Sequence, residues 1–106
     1  MPSLREKKRY IVYEILSKNK IFQKQVEREI TKKTHDFLGI YGASEAGIQF
    51  LKDWNQEKQR GIVRINNKKV DHIKTTMGLI NQISEEKVSL NPIKVSGTLK
   101  KVRQEL

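Results

Sequence analysis

The sequence predicts an α+β fold in which a four-stranded antiparallel sheet carries two helices on one face and a short helix at its C-terminal end. Three observations lead there. Short runs rich in β-branched and aromatic residues recur at 10–16, 48–54, 62–66 and 87–95. Two other segments, 22–37 and 73–83, space their apolar residues three or four apart. Taken in chain order, these segments read strand, helix, strand, strand, helix, strand.

The first run, Tyr10-Ile11-Val12-Tyr13-Glu14-Ile15-Leu16, is apolar at both alternating sets of positions, as a central strand covered on two faces requires. Beyond Asn19, the recurrence of Phe22, Val26, Ile30 and Phe37 among charged residues predicts an amphipathic helix. Gly39 is its expected stop, and Gly39, Gly42 and Gly47 mark a hinged loop. Ile48 to Trp54 and Ile62 to Asn66 read as a hairpin joined through the polar residues Asn55 to Arg60. Asp71 is placed to cap a second helix carrying Ile73, Met77, Ile80 and Ile83. The last strand, from about Lys87 to Val95, contains Pro92, which favours an edge position or a bulge. After Gly97 the tail suits a short helix. This order is that of the ferredoxin-like, or RNA-recognition-like, βαββαβ sandwich, whose second sheet face is left open.

With 106 residues the chain is expected to form one domain spanning 1–106, with a basic N-terminal segment at 1–8 and a basic tail at 98–106. A formal net charge of +10 attracts polyanions, nucleic acid first among them. The charge is concentrated in three stretches. Residues 1–20 hold six basic residues against two acidic ones, 58–74 six against one, and 87–106 five against one. Scattered lysines that serve solubility alone are the plain alternative. No apolar run approaches the roughly 18 residues of a membrane span, so a membrane partner is not expected and the cytoplasm is. Without cysteine there is neither a disulfide framework nor a thiolate zinc site.

An RNA-recognition domain of the usual kind stacks bases on aromatic residues of its first and third strands. The third strand here, Arg60-Gly61-Ile62-Val63-Arg64-Ile65, has none. Contacts through Arg64, Lys52, Lys94 and the termini would therefore reach phosphates and sugars, recognising shape more than sequence. Val95-Ser96-Gly97-Thr98-Leu99-Lys100-Lys101 sets two hydroxyls, a glycine and two lysines at a helix start, where backbone N–H groups favour a phosphate; an ordinary Ser/Thr cap is the alternative. Phe50 and Trp54 are read as packing residues before a stacking platform, and His35 and His72 lack metal-ligand spacing. No metal site is expected. Nor is there a Ser-His-Asp set, a paired-carboxylate cleft or a phosphate-loop glycine pattern.

Leu4-Arg5-Glu6-Lys7-Lys8-Arg9-Tyr10-Ile11, Gly39-Ile40-Tyr41-Gly42-Ala43, Gly61-Ile62-Val63-Arg64-Ile65 and Val95-Ser96-Gly97-Thr98-Leu99-Lys100-Lys101 together resemble the archaeal component 2 family of ribonuclease P, shared with eukaryotic ribonuclease P and the related mitochondrial-RNA-processing ribonuclease. The closing motif is the most specific part. The resemblance implies a subunit without catalytic residues of its own, supporting a large RNA that removes the 5′ leader from precursor tRNA. It also implies pairing with protein component 3, a possible dimer of heterodimers, and magnesium ions held by the RNA, with no cofactor on the protein. Charge and position nominate Arg9, Arg64, Lys68, Lys69, Thr98, Lys100, Lys101 and Arg103 as RNA contacts, and Gly39, Ile40, Tyr41, Gly42 and Ala43 as the protein-contacting segment. Two other functions share the charge or the topology: an RNA-binding subunit of another ribonucleoprotein, as in ribosomes, and an acylphosphatase-like enzyme. The second lacks its phosphate loop, since Ser17-Lys18-Asn19-Lys20 carries no glycine or arginine.

Overall fold

A computed structural model of the chain describes residues 7–106. The N-terminal motif residues Leu4, Arg5 and Glu6, and the basic segment 1–8 up to residue 6, lie outside the described residues. Strand β1 spans Lys8–Ser17, helix α1 Gln23–Ala46, β2 Gln49–Asn55, β3 Arg60–Asn66, α2 Val70–Leu79, β4 Gln82–Ile83, β5 Glu86–Ser96 and α3 Leu99–Arg103. The sheet is antiparallel, in the order β2-β3-β1-β5-β4. It thus has five strands, not the expected four. The addition is β4, a two-residue strand that turns back on β5, with Gln82 opposite Lys87 and Ile83 opposite Glu86.

Strand β1 lies in the middle, bonded to β3 on one side and β5 on the other. Its alternation sends Ile11, Tyr13 and Ile15 to one face. There they pack with Val63 and Ile65 of β3 and Leu90 of β5 under Val26 and Ile30 of α1 and Ile73 and Met77 of α2. Val12 points the other way and is also fully buried, with Ile62 and Val102. Doubly covered burial is what the apolar run predicted, but the cover on the second face is α3. The sheet face expected to be open is occupied along its middle by the C-terminal segment, whose Leu99, Val102 and Leu106 lie against Tyr10, Val12, Leu51 and Ile62. Three polar contacts hold the segment down. Arg103 Nε pairs with Asp53 Oδ2 at 2.8 Å, Arg60 Nη1 donates to the Glu105 carbonyl at 2.7 Å, and Asn55 Nδ2 donates to the Leu106 carbonyl at 3.3 Å.

Helix α1 does not stop at Gly39. That glycine breaks it, at φ 74° and ψ 179°, and the chain then resumes helical turns to Ala46, which is buried in the core. The expected loop at 39–47 is therefore helical, because burying Ala46 rewards the continuation and the left-handed stop is supplied by Gly47 at φ 58°, ψ 44°. Asp71 lies in the first turn of α2 without capping it, and the second helix ends before Ile80 and Ile83, which are buried beyond its end. A short 3₁₀ turn, Asn67–Lys69, leads into α2, and Asn66 Oδ1 accepts its Lys68 N–H at 3.1 Å. The β1–β5 register shifts between Val12 and Tyr13, which face Lys94 and Pro92, so Pro92 sits at the predicted irregularity.

Two polar or small residues fix the far end of the sheet. Gln59, buried and in a left-handed conformation at φ 56°, accepts the Ile21 N–H at 2.6 Å and donates to the Ile21 carbonyl at 3.0 Å, tying the β2–β3 turn to the entrance of α1. Gly61 lies under the Tyr13 ring, where a Cβ would come within 2.7 Å of Tyr13 Cζ and 2.9 Å of Trp54 Cε3.

Gly61→Ala is accordingly expected to cost about 1–3 kcal/mol of stability through overpacking, read as a lower denaturant midpoint. Burial pushes the Tyr13 hydroxyl well above its ordinary 10.0, with the Glu27 carboxylate adding to the effect. The folded state therefore holds this proton after an unfolded chain has released it. The tyrosine's contribution is complete below pH 10.0 and declines as pH rises above that value, so the melting temperature of the wild type is expected to fall more steeply in that range than that of Tyr13→Phe.

Candidate nucleic-acid interface

Because β1 is antiparallel to both neighbours, its start lies beside the ends of β3 and β5. Lys8 faces Asn66, Arg9 faces Ile65, and Tyr10 faces Arg64 on one side and Ser96 on the other. Parts of all three basic stretches, distant in sequence, thus meet at one end of the sheet. Arg9 reaches toward Gly97, where an added Cβ would be 3.0 Å from Arg9 Nη1, and Lys8 Nζ would be 3.3 Å from a Cβ on Gly47. These glycines leave room for the two cations. Lys68 is exposed on the turn after β3, and Lys100 and Lys101 are exposed on α3.

The basic residues divide by what they touch. Arg60 is paired with Glu14 at 2.9 Å, Arg103 with Asp53 at 2.8 Å and Lys69 with Glu45 at 3.7 Å. Arg9, Arg64, Lys68, Lys94, Lys100 and Lys101 have no acidic partner among the described residues. Of the residues nominated from sequence, Arg9, Arg64, Lys68, Lys69 and Thr98 gather at or beside the shared strand ends. Lys100 and Lys101 follow on α3, and Arg103 turns back to β2. The Lys69–Glu45 and Arg103–Asp53 pairs each have one exposed partner and add little stability, about 0–1 kcal/mol, whereas Arg60 and Glu14 are both mostly covered. The consequence of the pairs here is electrostatic: Glu14 and Asp53, on the α3 face, are neutralised from within and leave less negative charge to repel an anion.

Thr98 sits at the start of α3, but its N–H is already donated to Ser96 Oγ at 3.1 Å, and the two hydroxyl oxygens are 3.2 Å apart. A helix of five residues carries only a small dipole. The hydroxyl pair, more than the helix terminus, is what this motif presents.

The segment nominated for protein contact is strongly apolar at its surface: Ile40 is 78% and Tyr41 86% exposed, just past the Gly39 break, with Phe37 exposed before it. Gly42 and Ala43 are half-buried, and Gly42 allows a close approach of Leu38, whose Cβ would be 2.7 Å from an added Cβ. Phe50 and Trp54 pack against the helix-side core, Trp54 with its ring centroid 6.4 Å from that of Tyr13, so they are packing residues. His35 and His72 are exposed, and the described residues contain no group of three or more metal-ligating side chains. Gln49 and Tyr10 were not singled out as contacts from sequence, and Ser96 entered only as one of the two hydroxyls of the 95–101 motif. They join Arg64 only through strand register, of which the sequence carries no local signal.

The Rpp14/Pop5 family matches residues 9–106. Among curated relatives, Ribonuclease P protein component 2 of Thermococcus gammatolerans is 29% identical over 103 residues, covering 97% of this chain and 85% of that one. The protein of the same name from a strain of Methanococcus maripaludis is 32% identical over 103 residues, covering 97% and 77%. Among solved structures, a chain in the cryo-EM structure of yeast ribonuclease MRP superimposes with a TM-score of 0.67 at 16% identity, covering 99% of this chain and 94% of that one. At that identity the likeness is one of fold.

Proposed function

The chain belongs to the Rpp14/Pop5 family, and we propose that it serves ribonuclease P as a non-catalytic protein subunit, binding and supporting the RNA that removes the 5′ leader from precursor tRNA. The observation that carries this reading is the meeting of Arg9, Arg64, Lys68 and the Thr98 motif at one end of the sheet, with their charges unspent on acids among the described residues. Folding a large RNA around a catalytic centre crowds phosphates together. A cationic surface that displaces condensed counterions lowers that repulsion and favours the compact RNA.

On this reading Arg9, Arg64, Lys68, Thr98, Lys100 and Lys101 touch the RNA backbone, while Lys69 and Arg103, shared with Glu45 and Asp53, lie at the border of the contact. The magnesium ions of the reaction belong to the RNA. The apolar segment from Gly39 to Ala43 contacts protein, with component 3 of the same enzyme as its partner and a dimer of heterodimers as the larger assembly. The four long strands and two large helices follow a ferredoxin-like path to which β4 is added at the edge, and the assembly works in the cytoplasm.

Reconstitution tests the reading. The protein, with and without component 3, is added to the cognate ribonuclease P RNA at limiting magnesium, and 5′ cleavage of a precursor tRNA is followed. Cleavage is expected to rise with the pair present and to fall again when Arg9, Arg64, Lys100 and Lys101 are changed together to glutamine. An absence of stimulation, with tight binding to a different RNA, would transfer the protein to another ribonucleoprotein.

A further inference from the structure

Four side chains from four strands lie in one register row on the sheet face that α3 shares. Gln49 of β2 faces Arg64 of β3, Arg64 faces Tyr10 of β1, and Tyr10 faces Ser96 of β5. At the usual spacing of about 4.8 Å between strands the row is roughly 14 Å long. Directly opposed residues of an antiparallel sheet point to the same side, so all four share a face. The next row inward holds Ile62, Val12 and Lys94, and it is over Ile62 and Val12 that Val102 of α3 packs. The Gln49 row therefore runs along the rim of the α3 cover, and Thr98 extends it with a hydroxyl 3.2 Å from Ser96 Oγ.

Arg64 differs from the two paired arginines on this side of the sheet. Arg60 and Arg103 each grip a carboxylate, whereas Arg64 has a neutral partner, Gln49 Oε1, which accepts from its Nη1 at 3.2 Å. Its Nε is buried without a partner, and its Nη2 bonds to nothing among the described residues. A half-buried guanidinium that lacks a counter-charge costs desolvation. Gln49 orients this one without neutralising it. The Nη1/Nη2 edge of the planar group, and not the buried Nε, is the part that can meet a phosphate, and the hydroxyls of Tyr10, Ser96 and Thr98 supply donors and acceptors suited to a sugar–phosphate chain.

We propose that Gln49, Arg64, Tyr10 and Ser96 form a track for one stretch of RNA backbone, with Arg64 anchoring a phosphate and Gln49 acting as the positioning residue that keeps the arginine uncommitted. This rests on the ribonuclease P reading for the identity of the RNA, but not for the class of ligand. The amide at position 49 is the informative atom group. A carboxylate there would form a stronger, charge-assisted pair with Arg64 and spend its charge, as Glu14 does for Arg60.

The test is Gln49→Glu, with Arg64→Lys beside it and Lys58→Gln, at the opposite end of the sheet, as the comparison. Binding of the full chain to an in vitro transcript of the cognate ribonuclease P RNA, and separately to poly(U), is measured across a range of salt. Gln49→Glu is expected to melt at or above the wild-type temperature yet bind RNA roughly tenfold more weakly, with a salt slope smaller by about 1. Arg64→Lys keeps the charge and should retain the slope while losing affinity, and Lys58→Gln should bind like the wild type. Stability and affinity moving in opposite directions is an outcome that a merely structural Gln49 would not produce. Wild-type affinity and slope in Gln49→Glu on both RNAs would overturn the track. Failure of the wild-type protein to bind the transcript, while Gln49→Glu still weakens poly(U) binding, would sink the ribonuclease P reading and leave the track standing.

Discussion

Strand β1 is buried on both faces along its middle and hydrogen-bonded along both edges, to β3 and to β5. Its odd-numbered residues Ile11, Tyr13 and Ile15 anchor α1 and α2, while Val12 anchors α3. At about 25 cal/mol for each Å² of apolar surface buried, such a strand contributes to two cores at once. The antiparallel pairing on both sides has a second effect, since the start of β1 must then lie beside the ends of β3 and β5. Three basic stretches separated by tens of residues become one surface because of the way the core is built.

The same face shows how the protein keeps part of its charge free. Asp53 and Glu14 would lower the potential of the α3 side, but each is engaged by an arginine of this chain, and Arg60 further fastens the C-terminal backbone. Structural cations thus neutralise the acids and leave Arg64, Lys94, Lys100 and Lys101 facing outward without acidic partners among the described residues. With α3 lying over Val12 and Ile62, and with no aromatic residue on β3, this sheet does not offer the broad stacking platform of an ordinary RNA-recognition domain. Contact through charge and hydroxyls at its rim suits an RNA recognised by shape.

Much of this was legible in the sequence where the signal is local. The strands around Ile11 and Ile62, the helix carrying Val26 and Ile30, the irregularity at Pro92 and the C-terminal helix follow from periodicity and residue type. Three features did not follow, each for a physical reason. Gly39 has the form of a helix stop, but the burial of Ala46, seven residues on, draws the chain back into a helix. Strand β4 has only two residues, too few to show a period. The fate of α3 and of the cations depends on partners such as Asp53 for Arg103, which are distant in sequence and invisible to a count of charges. The candidate site was therefore legible only as a list of basic residues, while their division into paired and unpaired groups needed the fold.

On the function proposed here, the shared strand ends and α3 form the RNA-facing surface. Lysine acylation footprinting of the protein bound to the ribonuclease P RNA, read by mass spectrometry, addresses it most directly. Protection of Lys8, Lys68, Lys94, Lys100 and Lys101 is expected, with Lys18, Lys24, Lys32 and Lys58 remaining reactive. Protection centred on Lys24 and Lys32 of α1, with the strand-end lysines still modified, would contradict it.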